Sequence, residues 1–225
     1  MSQDTEGDTV EVAKPKGVIY WLVRVIIIAV AAVWAISHFF EGLMLITGRF
    51  LWTDGVVEPG LPLERLPMLN QADLRPGTAG TMEDAELSLR LLNAVPLFVE
   101  TLTVLIAAWL LARVLRRVAE REAFSPTAIS GWRALSTTLI VGGVLIGLIN
   151  TFAVVYLNSY LGLLPSTGAP DPEGTEQLLG GDYSAIALDL PYWPVTIIVG
   201  GLVALALTTA FRAGAQLERD VDGVI

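Results

Sequence analysis

The chain has 225 residues, of which 53% are apolar and 16% charged, with no cysteine and a single histidine. A soluble domain carries nearer a quarter charged residues. The deficit falls in four long apolar runs, which indicates a membrane protein and excludes a disulfide scaffold or a thiolate zinc site. A formal charge of −9 argues against nucleic acid as a direct partner.

Residues 1–16 hold Asp4, Glu6, Asp8 and Glu11 and are read as a disordered acidic tail. The run 18–40, broken by Arg24 and by the Ser37/His38 pair, is too long for the core of a cleavable signal peptide and is followed by no small-x-small site. It is read as a retained span. A second span, 91–112, contains Asn93, Pro96 and Glu100. A third, 135–157, contains Asn150, and the fourth, 192–210, is the cleanest. Each is about twenty residues, enough to cross some 30 Å of hydrocarbon. The expected architecture is an all-α membrane protein, four transmembrane helices packed as a bundle.

Ten of the 14 basic residues fall on one side of these spans: Lys14, Lys16 and Arg24, the group Arg113, Arg116, Arg117, Arg121 and Arg133, then Arg212 and Arg219. Only Arg49, Arg65, Arg75 and Arg90 fall on the other. The positive-inside rule then places both termini in the cytoplasm and the protein in the plasma membrane. A membrane domain over 17–212 is followed by a cytoplasmic helical tail, 213–225.

The loops carry local signals. Ser125 followed by Pro126 reads as an N-cap with proline at the first helical position. The outer segment from Gly48 to Met82 is rich in Pro and Gly. Near its end, Thr81 with Asp84 resembles a cap feeding a helix that runs down into span two. In the second outer loop, Ser184 to Leu190 alternates, with Ile186, Leu188 and Leu190 on one face. That predicts a short strand, for which Phe50 to Val57 is the candidate partner.

Glu100 is the first residue to test, because an ionisable group at mid-membrane costs a few kcal/mol to insert. Asn150 sits at a comparable height as its candidate partner, and Arg24 would have to reach up to join them. This set is either a proton- or cation-responsive site or an interhelical hydrogen bond that fixes packing. His38 and Glu41, three apart on one helical face, form a candidate outer pair. They are either an interfacial hydrogen bond or part of a metal site that would need ligands from other helices. Arg113, Arg116 and Arg117 share a face, and with Arg121 they serve to anchor anionic lipid or to dock an acidic cytoplasmic partner. Gly143/Gly147 and Gly200/Ala204 permit close helix approach. Tyr20, Trp52, Trp132, Tyr192 and Trp193 are read as an aromatic belt.

Two stretches resemble a known family. Phe124-Ser125-Pro126 with Ile129, Arg133 and Leu135 resembles the "PFS-x-x-N-x-x-x-L-R" entry to span three of an uncharacterised family of small bacterial four-span membrane proteins, a domain of unknown function. The ending from Phe211 to Ile225 is similar to that family's terminal helix and acidic close. Here the Asn is absent, Gly223-Val224 stands for Leu-Thr, and the outer segment is long. Family members are often encoded beside a helix-turn-helix protein of the Cro/repressor type. The resemblance therefore implies a membrane component that tunes a cytoplasmic regulator, through the Arg113 to Arg133 loop and through Phe211, Gly214 and Leu217 of the tail.

No phosphate loop, nucleophile elbow or His-Glu-x-x-His motif occurs. The expectation is a non-enzymatic protein of binding or regulatory role, without a cofactor and with lipids and a cytoplasmic regulatory protein as partners. A small proton- or ion-coupled transporter or channel using Glu100 and Asn150, or a structural subunit of a membrane complex, are the alternatives.

Overall fold

Hydrocarbon offers no water to backbone polar groups, so an apolar run must close its hydrogen bonds within itself. In a computed structural model, each run is one unbroken helix: α1 (Lys16–Thr47), α2 (Leu87–Ala119), α3 (Pro126–Tyr160) and, after the short α4 (Pro172–Leu179), α5 (Val195–Asp222). The structure describes residues 16–51, 60–120, 122–162 and 172–222. The acidic tail 1–15, Trp52, Arg121 and the last three residues lie outside them. The four long helices are apolar enough to cross a membrane, and the chain is a multi-pass membrane protein. The helices outrun the apolar runs. At 33 residues, α2 is about 50 Å long, so its ends stand beyond the hydrocarbon with their backbone bonds intact.

The helix boundaries have local causes. Ser125 is extended and accepts the Ala128 N–H at 3.2 Å, with Pro126 opening α3 as the sequence predicts. α1 ends at Gly48, whose φ of +71° suits glycine and whose N–H returns to Met44 O at 2.8 Å. Thr81 does not cap a helix that runs on into the membrane. Its hydroxyl donates to Asp84 Oδ2 at 2.8 Å, and the 3₁₀ turn Met82–Asp84 stops before α2 begins at Leu87. The break lets the Glu86 N–H reach Leu178 O at the end of α4.

Within the membrane the helices pack in the order α1–α2–α3–α5, and α1 and α5 share no comparable interface. A third of the apolar window of α2 and of α3 is buried, against 11% for α1 and 17% for α5, so α2 and α3 form the centre. Glycines set the approach. A Cβ on Gly143 would stand 2.6 Å from Ile198 Cγ1, and one on Gly201 would stand 2.6 Å from Ile140 Cγ1. Gly142 lies directly against Thr103 of α2, and Gly147 under the Trp193 ring. Gly200, by contrast, would meet only Leu139 Cδ1, at 3.9 Å.

Above one end of the helices sits a cap with its own core. Leu61, Leu63, Leu66, Met82, Leu178 and Leu179 are buried there against Leu45 of α1, Leu89 of α2 and Leu157 of α3. Its sheet pairs β1 (Leu69–Leu74) with β2 (Tyr183–Leu188), antiparallel. The strand predicted in the second loop is present, but its partner is β1, not Phe50 to Val57. Phe50 and Leu51 are outside any strand and 52–59 lie outside the described residues. Register shifts break β1's alternation, leaving Leu69 and Ala72 buried three apart. Leu190 lies past the end of β2 and is 89% exposed, so only Ile186 and Leu188 face the cap core.

Tyr183 fastens the cap. It is fully buried, its hydroxyl accepts the Leu63 N–H at 2.9 Å and donates to Gly80 O at 3.1 Å. Burial pushes its phenol above the ordinary tyrosine range. Stability tied to the neutral phenol is therefore present below the unfolded value of about 10 and is lost as pH rises through the higher folded value. Protease resistance of the cap, followed from pH 8 upward in detergent, is expected to fall in wild type. Tyr183→Phe is expected to lack that alkaline loss, while costing about 1–3 kcal/mol at neutral pH for the partners left unpaired. Separately, Gly143→Val should lower the melting temperature sharply and Gly200→Val should leave it almost unchanged, as read by thermal aggregation of the purified protein.

Candidate functional site

α2 presents Asn93, Leu97 and Glu100 at steps of four and three, so all lie along one stripe of that helix. Asn93 faces the cap. Its Oδ1 accepts the Met68 N–H at 3.0 Å and its Nδ2 donates to Leu89 O at 2.9 Å. Pro96 has no N–H to offer Leu92 O. Seven residues below Asn93, Glu100 is 8% exposed and makes no side-chain hydrogen bond or ion pair among the described residues.

Glu100 stands where two cavities meet. Towards the cap is a vestibule of ≈ 680 Å³, whose polar walls are His38, Glu41, Asn93, Asn150 and Asp189, lined also by the rings of Trp34, Tyr192 and Trp193. Towards the other end runs an apolar groove of ≈ 650 Å³, walled by Ile27 and Val30 of α1 and by Gly200, Val203 and Leu207 of α5, with α2 and α3 as its floor. Because α1 and α5 flank it without packing together, the groove faces the lipid between them. The Trp132 indole lines it as well, and its N–H is buried with no partner among the described residues.

The sequence-derived residues fall into three places. Glu100, Asn150, His38 and Glu41 share the vestibule, so the mid-span acid and the outer pair belong to one cavity. Glu100 and Asn150 are not hydrogen-bonded to each other: the Asn150 amide donates to Ile146 O at 3.0 Å. His38 and Glu41 are not bonded either. His38 Nδ1 lies 3.1 Å from Trp34 O, and its ring stacks on Trp34 at 4.4 Å. No cluster of three or more His, Asp or Glu groups in reach of a metal ion occurs among the described residues.

Arg24 does not join Glu100. It lies ten residues, about 15 Å of helix rise, below Trp34, and it lines a separate cavity with Arg113 and Arg116. Arg117 turns away to Glu120 and Glu122, at 3.5 and 2.9 Å. Phe211 tucks under the helices, stacked on Trp132 at 5.8 Å and beside Phe124 at 5.9 Å. Gly214 follows it against Phe124. Leu217 is 67% exposed, because each three-residue step falls about 60° short of a full turn and two steps carry it off the packed face.

Trp34, Asp189, Tyr192 and Trp193 join the vestibule without having been singled out as site residues. The two α5-side rings fit a belt by sequence position. Both line the vestibule from the segment between β2 and α5, beside Pro191, while remaining part exposed. Comparison with protein-family models, curated proteins and solved structures finds no match.

Glu100→Gln is nearly isosteric and removes no partner, so the variant should purify as the wild type does, with an unchanged melting temperature. Asn93→Ala strips the Met68 N–H of its acceptor in a buried position and should cost about 1–3 kcal/mol, read as a lower cap unfolding transition.

Proposed function

We propose that the chain is a non-enzymatic binding protein of the plasma membrane, both termini cytoplasmic, that takes up an amphiphile with a cationic head from the bilayer. The observation that carries this reading is Glu100, a carboxyl with no partner among the described residues, at the joint between a polar vestibule and a lipid-facing apolar groove. The vestibule supplies three acids, Glu41, Glu100 and Asp189, against one histidine, a balance that favours a positive head. Trp34, Tyr192 and Trp193 add aromatic faces, which attract quaternary ammonium groups. The groove below has the length and lining to take an alkyl chain, with lateral access from the lipid instead of a path through water.

The regulatory role implied by the family resemblance enters as an output of such binding. α5 joins the groove wall at Gly200 and Val203 to the tail bearing Phe211 and exposed Leu217, so a cytoplasmic protein seated on the tail would sense groove occupancy.

The test is equilibrium binding of a long-chain alkyltrimethylammonium to the full chain in lipid nanodiscs, against tetramethylammonium and a carboxylate of equal chain length. The long cationic probe should bind best. Glu100→Gln should weaken it about tenfold, equivalent to some 1.4 kcal/mol, and Gly200→Leu, which fills the groove, should abolish the advantage of the long chain. Equal binding of the carboxylate, or wild-type affinity in both variants, overturns the reading. Accumulation of the probe inside sealed proteoliposomes would make the protein a transporter instead.

A further inference from the structure

The cavity between α1 and α2 at the arginine end has a different chemistry from the vestibule. Its volume is ≈ 500 Å³, and Arg24 of α1 faces Arg113 and Arg116 of α2 across it. No acid lines it. Its remaining walls are apolar, with Ile28 on one helix and Leu105 and Trp109 on the other rising towards mid-membrane. Among the described residues the guanidiniums find little counter-charge. Arg24 and Arg113 have no carboxylate partner among the described residues, and Arg116 has only Glu120, at 3.8 Å and half exposed. Arg113 is instead held over the Trp109 ring, 5.6 Å from its centre, which fixes its position while leaving its donors open.

Three fork-shaped cations around one space suit oxyanions, since guanidinium pairs phosphate oxygens two at a time. The apolar upper walls require that the anion carry hydrocarbon. A single phosphodiester offers one charge to three arginines, whereas two on one headgroup come closer to balance. We propose that this cavity is a binding site for an anionic phospholipid with two phosphate groups, a cardiolipin-type lipid. Its phosphates sit between Arg24, Arg113 and Arg116, and its acyl chains lie along Ile28, Leu105 and Trp109. The lipid bridges α1 to α2, and it belongs to the leaflet at the arginine end, whichever compartment that end faces. The site is independent of the vestibule, shares no polar residue with it and takes a ligand of opposite charge.

The test is native mass spectrometry of the full-length protein titrated with cardiolipin, phosphatidylglycerol and phosphatidylcholine of matched acyl chains, with pyrophosphate as the free anion. Cardiolipin should be retained most strongly. Replacing two of the arginines (Arg24→Gln with Arg113→Gln) should weaken it about 30-fold, at roughly fivefold per basic residue near the lipid surface. Arg117→Gln, whose side chain is engaged by Glu120 and Glu122, should retain wild-type binding. Should the double variant fail to fold, Arg24→Gln alone, at an exposed position, should still show a several-fold loss. Equal retention of phosphatidylcholine, an unaffected Arg24→Gln, or a loss just as large in Arg117→Gln overturns the proposal. Displacement of cardiolipin by pyrophosphate at equal concentration overturns the lipid assignment in favour of a free-anion site.

Discussion

The membrane half of this protein depends on how near α3 can come to its neighbours. Lipid tails are as apolar as leucine, so burying apolar surface between helices gains nothing there, and packing must come from close van der Waals contact. α3 obtains that contact by having no side chain where it meets Ile198, Thr103 and the Trp193 ring, at Gly143, Gly142 and Gly147. Gly201 does the same for α5 against Ile140. α1 has no such seam with α5. Among the helices it packs chiefly along α2, and the space left between the two outer helices becomes the groove.

The cap obeys a different solvent. Leu61, Leu63, Leu66, Met82, Leu178 and Leu179 come from segments far apart in sequence, and they are buried as leucines are in a soluble domain, driven by water. That core sits on the ends of α1, α2 and α3, so it holds three helices at a fixed spacing at one level only. Arg49 and Glu83 add an exposed ion pair between the end of α1 and the turn before α2, which holds the Glu83 carboxyl below its usual range. Exposed pairs of this kind contribute little. The buried polar contacts matter more: Tyr183 to Leu63 and Gly80, and Asn93 to Met68, with the half-buried Arg90 Nη1 donating to Ile46 O at 2.8 Å beside them. Each ties cap backbone or a helix end to a neighbouring element, which keeps the vestibule open between them.

The number of spans is legible in the sequence because hydrocarbon demands uninterrupted apolar runs. Helix ends are not, since hydropathy marks the hydrocarbon and the backbone goes on bonding beyond it, as α2 does past Arg113. β2 shows in its alternation, but β1 does not: its bulged register puts buried Leu69 and Ala72 three apart, in a stretch that also carries Asn70, Gln71 and Asp73. α4, eight residues of mixed polarity, gives no apolar run to notice. At the site, Glu100 declares itself by depth. The company it keeps is set by which helices are neighbours, and this is why Asn150 and His38 share its cavity without bonding to it while Arg24 belongs elsewhere.

The two ends of the α1–α2 pair are then opposite in kind. The vestibule near the cap is lined by Glu41, Glu100 and Asp189 with His38, and the cavity at the far end by Arg24, Arg113 and Arg116. Neither group can neutralise the other, because about 20 Å of helix rise separates Glu100 from Arg113, and Ala31, Ala108 and their apolar neighbours lie between. A charge lining a cavity at the edge of hydrocarbon has few options: a protein partner, water, or a ligand. Arg117, Arg49 and Arg75 take the first, with Glu122, Glu83 and Glu176. In the cavities at the two ends of the pair, the walls beyond the charges are apolar. For that reason the same α1–α2 framework calls for amphiphiles at both ends, with heads of opposite sign.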